Sequence, residues 1–444
     1  MAAHLTGWMI RLAIVLLQGV AWLDRVLQPN RAFPRDLPQL LARRAWLEAV
    51  LRRGGLLAEG EQLVAVSGRQ IKQQEAFRST VAAVDCEART ADGLSRNISI
   101  FAKLSPVATS LMEHAVYILQ ENAAKETTVY QTLARAPGFP AARAYHVDVH
   151  RPSGGFCLLL ERLEAREVPE HEGCPPELAE VAIDAFAALH ARHWGDETTA
   201  ARDLRRTPPA VVDWLSRQLQ GPDAALFGAM LRRAWAADAS APVAIQHADA
   251  RVGNLLFVAD HSPSAHPCGR RAVFIDWQAA RRGKAVFDVA YFLVLSLEPE
   301  VRRRHGLALL ERYHRALQAN GIADYPLATL LSDARMAVLL VLGFVTLPLM
   351  SAEASTTQAN QAGIGALGTA WARRMVAVVE ELDLEEAGAR CGIDGVALGA
   401  AFRRSNDGAV RDFPVAAVDR AAAQAFVATH GAGLFRTWSH RTGV

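Results

Sequence analysis

The chain has 444 residues, 51% of them hydrophobic and 21% charged, which suits two lobes of one enzyme, each with its own core, better than one average domain. Its 48 basic and 46 acidic side chains leave a formal net charge of +2 with no long block of one sign, which argues against nucleic acid as a partner. Five cysteines, Cys86, Cys157, Cys174, Cys268 and Cys391, are odd in number, widely spaced and without CxxC spacing, so neither a disulfide framework nor a structural zinc site is suggested and free thiols in a reducing, cytoplasmic setting are expected.

The first apolar run, residues 8–23, carries Arg11 and Gln18 and is short for a membrane span of about 20 residues. It reads as an amphipathic helix packed on the protein or, with Trp8 and Trp22 at an interface, as a peripheral membrane anchor. Residues 40–53 again show helical spacing, stopped by Gly54 and Gly55, so residues 1–62 form a helical extension. From Leu63 the pattern shifts to β-rich runs at 63–66, 79–87 and 98–104, with Ala91, Asp92 and Gly93 marking a turn. A helix is predicted over 108–134, broken by Pro137 to Pro140, followed by strands at 141–149 and 156–160. Three strands, a helix and two strands make residues 63–163 a small antiparallel-sheet lobe.

Residues 164–381 read as a mainly helical lobe, with periodic stretches at 177–193, 210–219, 224–237, 301–320 and 327–347, and residues 382–444 as a further helical extension. The apolar run 336–350, interrupted by Gly343 and Pro348, is expected to be a buried helix. One β-hairpin interrupts the helices, its apolar runs at 255–258 and 272–275 flanking a loop with Pro263, Pro267 and Gly269.

That hairpin carries the chemistry. The loop entering it reads HADARVGNLLF from His247 to Phe257, and the strand leaving it ends FIDWQ from Phe274 to Gln278. Phosphoryl transfer needs a carboxylate to orient a hydroxyl and oxygen ligands to hold magnesium on phosphates. An Asp followed five residues later by an Asn supplies both, with Asp249 as catalytic base and Asn254 as magnesium ligand. Asp276, which the hairpin would bring beside Asn254, is the second magnesium ligand. His247 props the loop, and Arg251 completes the candidate catalytic set.

These motifs, with FDVAYFL from Phe287 to Leu293 downstream, resemble the aminoglycoside phosphotransferase and choline kinase superfamily, in particular its ecdysteroid kinase-like branch, over roughly residues 63–350. The resemblance implies an α+β, protein kinase-like two-lobed fold, with ATP and magnesium as cofactors and a small-molecule hydroxyl as acceptor. It also looks for a lysine on the third strand and an acid on the next helix, which Lys103 and Glu126 match as holders of the α- and β-phosphates. FCLLLERL, from Phe156 to Leu163, looks like the hinge strand, so the backbone groups of Glu161 and Leu163 are expected to meet adenine. In place of a glycine-rich phosphate loop, residues 68–79 hold one glycine, and Ser79 or Arg78 is the expected phosphate contact. Ala248 stands where the family's catalytic loop has glycine.

Apolar stretches such as 336–347 suggest a lipophilic or mixed acceptor, whereas an aminoglycoside would need an acidic patch, for which Glu298, Glu300, Glu380, Glu381, Asp383, Glu385 and Glu386 are available. His190 and His193 resemble the family's helix ending in LH, which implies packing beneath the catalytic loop. The competing reading is a pseudokinase that keeps the fold and binds nucleotide or small molecule without catalysis.

Overall fold

The structure is a computed structural model that describes residues 15–16, 18–19, 22, 33–71, 79–106, 121–151, 154–206, 209–216, 223–240, 242–263, 265–352, 370–371, 373–375, 377–378, 381, 392 and 394–401. Most of the expected N-terminal helix, the centre of the phosphate loop, the first half of the helix predicted over 108–134, and most of the C-terminal extension lie outside these residues. The chain divides into two compact units, the first built mainly from residues 1–164 with 273–280, the second from 165–201, 205–272 and 281–444.

The first unit is organised on a five-stranded antiparallel sheet, in the order β1, β2, β3, β5, β4. Its strands are β1 Gln62–Gln70, β2 Ser79–Arg89, β3 Ser95–Pro106, β4 Ala144–His150 and β5 Gly155–Glu161. The turn read at Ala91 to Gly93 joins β2 to β3, with Gly93 at φ +87 and the Thr90 amide donating to the Leu94 carbonyl at 2.9 Å. Hydrogen bonding carries the strands several residues beyond the β-rich runs seen in sequence, because polar residues such as Ser95 and Arg96 still pair across the ladder.

Two helices, α1 Leu37–Ala42 and α2 Arg44–Arg53, share the sheet's core. Asp36 caps α1 by accepting the Gln39 amide at 2.8 Å. Leu47, Val50 and Leu51, at spacings of three and four, are buried with Val84, Ile98, Ile100, Leu104 and Leu159. On β3 this apolar face consists of Ile98, Ile100, Ala102 and Leu104, so the strand's two-residue period turns Lys103 to the opposite face. The unit's third helix, α3 Asn122–Thr128, runs into a π-helical turn over Val129–Leu133.

The second unit is mainly helical: α4 Pro176–Arg192, α5 Pro209–Ser216, α6 Ala224–Asp238, α7 Val286–Ser296, α8 Pro299–Ala319 and α9 Leu327–Ala352. The predicted buried helix over 336–350 is the second half of α9, with Ala337 to Leu342 buried and Gly343 close enough to Leu231 that an added Cβ would lie 3.1 Å from its Cδ1. No helix among the described residues is long and apolar enough to cross a membrane. Three short strands were missed in sequence: β6 Ala165–Arg166 pairs with the hairpin strand β8 Leu255–Ala259, whose partner is β9 Arg270–Phe274, and β7 Ala244–Gln246 and β10 Arg281–Gly283 pair with each other in a separate sheet. Runs of two or three residues are too brief to show a period. A sheet unit and a helical unit make an α+β architecture, in agreement with the expected protein kinase-like class.

Candidate active site

In the first unit, Lys103, Glu126 and Asp276 form one buried cluster. The Lys103 ammonium donates to both Glu126 carboxylate oxygens at 2.9 and 2.8 Å and to Asp276 Oδ1 at 2.7 Å. Three elements supply the groups: the face of β3 opposite its apolar core, the helix α3, and a left-handed turn at Asp276, φ +65, that opens a short 3-10 turn at Trp277–Ala279. Glu126 also accepts the Trp277 backbone N–H. Burial works against the Lys103 charge, but the Asp276 and Glu126 carboxylates outweigh it and raise the ammonium above its usual range. Glu126 is pushed up to about 7 because burial and the second carboxylate exceed what one shared ammonium returns. Two carboxylates around one ammonium leave surplus negative charge on oxygen donors, which suits a hard divalent cation. Tyr130, one turn beyond Glu126, buries a hydroxyl that has no hydrogen-bond partner among the described residues.

The remaining nucleotide candidates lie elsewhere in this unit. Glu161 ends β5, where it pairs with Ile100 of β3, and its amide already donates to the Arg143 carbonyl at 2.8 Å. The backbone groups of Leu163 bond to no other described residue. Ser79 is buried at the start of β2, opposite Pro106 across a register shift, while Arg78 lies outside the described residues.

In the second unit, the loop 247–254 is braced from below and clamped from the side. Asp288, fully buried near the start of α7, accepts the His247 amide at 2.6 Å and the Ala248 amide at 2.8 Å. His190 Nε2 lies 3.1 Å from Asp288 and its Nδ1 2.8 Å from the Tyr313 hydroxyl, which fulfils the packing role expected of that histidine. Ala248 holds φ +63, so alanine occupies a left-handed position that favours glycine. Ser296, at the end of α7, accepts the Val252 amide at 2.8 Å.

Asp249 is surrounded by donors. Asn254 Nδ2 donates to its Oδ2 at 2.8 Å and to its backbone carbonyl at the same distance, the Tyr291 hydroxyl donates to Oδ1 at 3.0 Å, and Arg251 Nε lies 3.3 and 3.4 Å from the two oxygens. Burial would raise this carboxyl, yet the charges of Arg251 and His247 and the bonds from Tyr291 and Asn254 hold it below the usual carboxylate range. Asn254 spends only its amide nitrogen on these bonds, so its Oδ1 accepts none from a described residue. His247 is fully buried with Nδ1 3.4 Å from the Asp249 amide.

Arg251 is shared. Its Nη1 donates to Glu170 at 2.5 Å, and Glu170 in turn accepts Trp371 Nε1 at 3.2 Å and, through its backbone carbonyl, Arg374 Nη2 at 2.9 Å. Sequence reasoning missed Glu170, Trp371, Arg374 and Ser296, which belong to no motif. Asp288 and Tyr291 were quoted only as part of FDVAYFL, where an acid and a tyrosine three residues apart on one helix face were the available signal. Asn254 and Asp276, read together from the hairpin, belong to different units. Two members of the proposed acidic patch are neutralised: Glu298 bonds Arg374 at 2.7 Å, and Glu381, 1% exposed, bonds Arg302 at 3.0 Å. Glu380, Asp383, Glu385 and Glu386 lie outside the described residues.

Residues 178–322 match the model of the ecdysteroid kinase-like family. That stretch is narrower than residues 63–350 but contains all three motifs on which the resemblance rests, and over it the resemblance holds. Among solved structures, the chain is similar to a choline/ethanolamine kinase family protein from Mesorhizobium loti, at 16% identity and TM-score 0.44 over 76% of this chain and 92% of that one. It is also similar to an ethanolamine kinase from Plasmodium vivax, at 10% identity and TM-score 0.46 over 76% and 88% of the two chains. A choline kinase from Streptococcus pneumoniae matches at 13% identity and TM-score 0.41, over 74% and 98%.

Proposed function

We propose that this protein is an ATP-dependent phosphotransferase that phosphorylates a hydroxyl of a small molecule. The observation that carries the reading is the buried Lys103–Glu126 ion pair with Asp276 on the same ammonium. Burying three charges costs desolvation that apolar packing would avoid, so a cluster of this kind points to a charged ligand more than to stability.

When bound, ATP supplies the phosphoryl group and magnesium offsets its charge. Lys103, positioned by Glu126, holds the α- and β-phosphates, and Ser79 contacts phosphate. Asp276 and Asn254, the latter through Oδ1, are the magnesium ligands. The Glu161 carbonyl and the Leu163 backbone meet adenine. Asp249 orients the acceptor hydroxyl and takes its proton. With a carboxyl held below the usual range, Asp249 is a weak base, so orientation is its larger contribution. His247 supports the loop, and Arg251 steadies the Asp249 carboxylate.

The apolar residues 337–342 are accounted for by burial in the helical core, and Glu298 and Glu381 by their arginines, so neither a lipophilic nor a polycationic acceptor gains from them. Exposed Leu16 and Trp22 keep peripheral membrane contact open as a proposal, tested by sedimentation with anionic vesicles. The decisive experiment is ATP turnover with magnesium against sterol, amino-alcohol, sugar and antibiotic hydroxyls. Phosphorylation by the wild type and its loss in Asp249→Asn are expected. Nucleotide binding with no transfer to any acceptor would favour the non-catalytic reading, and transfer unchanged in Asp249→Asn would remove Asp249 from its role.

A further inference from the structure

An ammonium group has three protons, and Lys103 spends all three on carboxylates: two on Glu126 and one, at 2.7 Å, on Asp276. None remains for a phosphate oxygen. Asp276, for its part, meets the ammonium with Oδ1 and Gln278 Nε2 with Oδ2 at 3.3 Å. The two carboxylates are not equivalent. The Glu126 side chain is 3% exposed and also accepts the Trp277 backbone N–H, whereas the Asp276 side chain is 16% exposed and stands on a left-handed residue, so the cluster opens on the Asp276 side.

We infer that Lys103 and Asp276 serve as each other's substitute ligand. The ammonium occupies the carboxylate in place of a divalent cation, and the carboxylate takes the ammonium proton in place of a phosphate oxygen. This rests on the phosphotransferase reading and adds a property to it. A phosphate arriving alone must draw a proton away from Asp276 and leave a largely buried carboxylate uncompensated. A divalent cation arriving alone must strip an acceptor from a buried ammonium. Arriving together they satisfy both groups, so nucleotide and metal bind with positive coupling that arises in the protein, beyond their affinity for each other in solution. Glu126 stays on Lys103 throughout.

The test is ATP affinity measured by calorimetry, in EDTA and in excess magnesium, for wild type, Asp276→Ala and Asp148→Asn. Asp276→Ala removes the acceptor and frees the third proton of Lys103, so it should bind metal-free ATP about tenfold more tightly than wild type, the effect of one charge-assisted hydrogen bond. The same variant should gain less than about threefold from magnesium, whereas wild type gains about tenfold or more. Asp148→Asn removes one carboxylate charge from the same sheet and leaves every bond of Lys103 in place, so its affinity in EDTA should stay within about threefold of wild type. Melting curves check that each variant is folded, and Asp276→Gly, which tolerates φ +65 and also lacks the acceptor, replaces Asp276→Ala if that one is not. Metal-free affinity that fails to rise in the Asp276 variant, or rises equally in Asp148→Asn, overturns the inference while leaving the phosphotransferase reading intact. Wild type that binds no ATP even with magnesium removes that reading, and this inference with it.

Discussion

Ala248 and Asp288 hold the turn of the catalytic loop between them: the Asp288 carboxylate accepts the Ala248 amide at 2.8 Å while Ala248 sits at φ +63. The same carboxylate takes the His247 amide and faces His190 Nε2, so one buried acid satisfies three groups. In Asp288→Asn one oxygen becomes a donor facing other donors, leaving a buried amide unpaired. A loss of about 2–4 kcal/mol is expected, measured by urea unfolding. A loss below about 0.5 kcal/mol would mean that the brace is dispensable.

Replacing Ala248 by glycine should act in the opposite direction. Alanine in the left-handed region costs about 1–2 kcal/mol, and the extra unfolded-state freedom of glycine returns about 0.4–1 kcal/mol of that. The first term is larger, so Ala248→Gly is expected to stabilise the protein by roughly 0.5–1 kcal/mol, seen as a rise in the melting temperature.

Gly253 lies under the Glu170 clamp, where an added Cβ would stand 2.7 Å from Glu170 Oε2. Glu170 is pinned by Arg251 and Trp371 and yields only by giving up those bonds. Gly253→Ala should therefore cost about 2 kcal/mol alone and markedly less in a Glu170→Ala background. Equal costs in the two backgrounds would show that the clash lies elsewhere.

The raised Glu126 carboxyl gives the ligand-free protein a pH dependence of definite sign. Its folded value, about 7, lies above the ordinary glutamate value of 4.5, so the folded state binds the extra proton between them. The stability that this proton provides is fully present below about 4.5 and is lost as pH rises through about 7. Denaturant unfolding from pH 4.5 to 8 should show the decline, and Glu126→Gln should flatten it. A wild-type profile that rises over this window would contradict the assignment.

Local pattern alone was enough to locate β2, β3 and β5, the helices α4, α6, α8 and α9, and the loop containing Asp249 and Asn254, because period-two and period-3.6 spacing and turn residues are written within a few positions of each other. Lys103 and Glu126 were picked out by the resemblance alone, and what joins them in the molecule is the packing of α3 against β4, β5 and the turn at Trp277, which sets Glu126 beside the Lys103 ammonium. Tertiary structure decided the rest. Glu170 meets Trp371 across 201 positions of sequence, and Arg374 reaches its carbonyl across 204. No period or spacing links such residues; the long-range packing of the helical unit brings them to Arg251. The third proton of Lys103 is of the same kind: the sequence contains lysine, glutamate and aspartate, and only their placement around one ammonium shows that all three of its donors are taken.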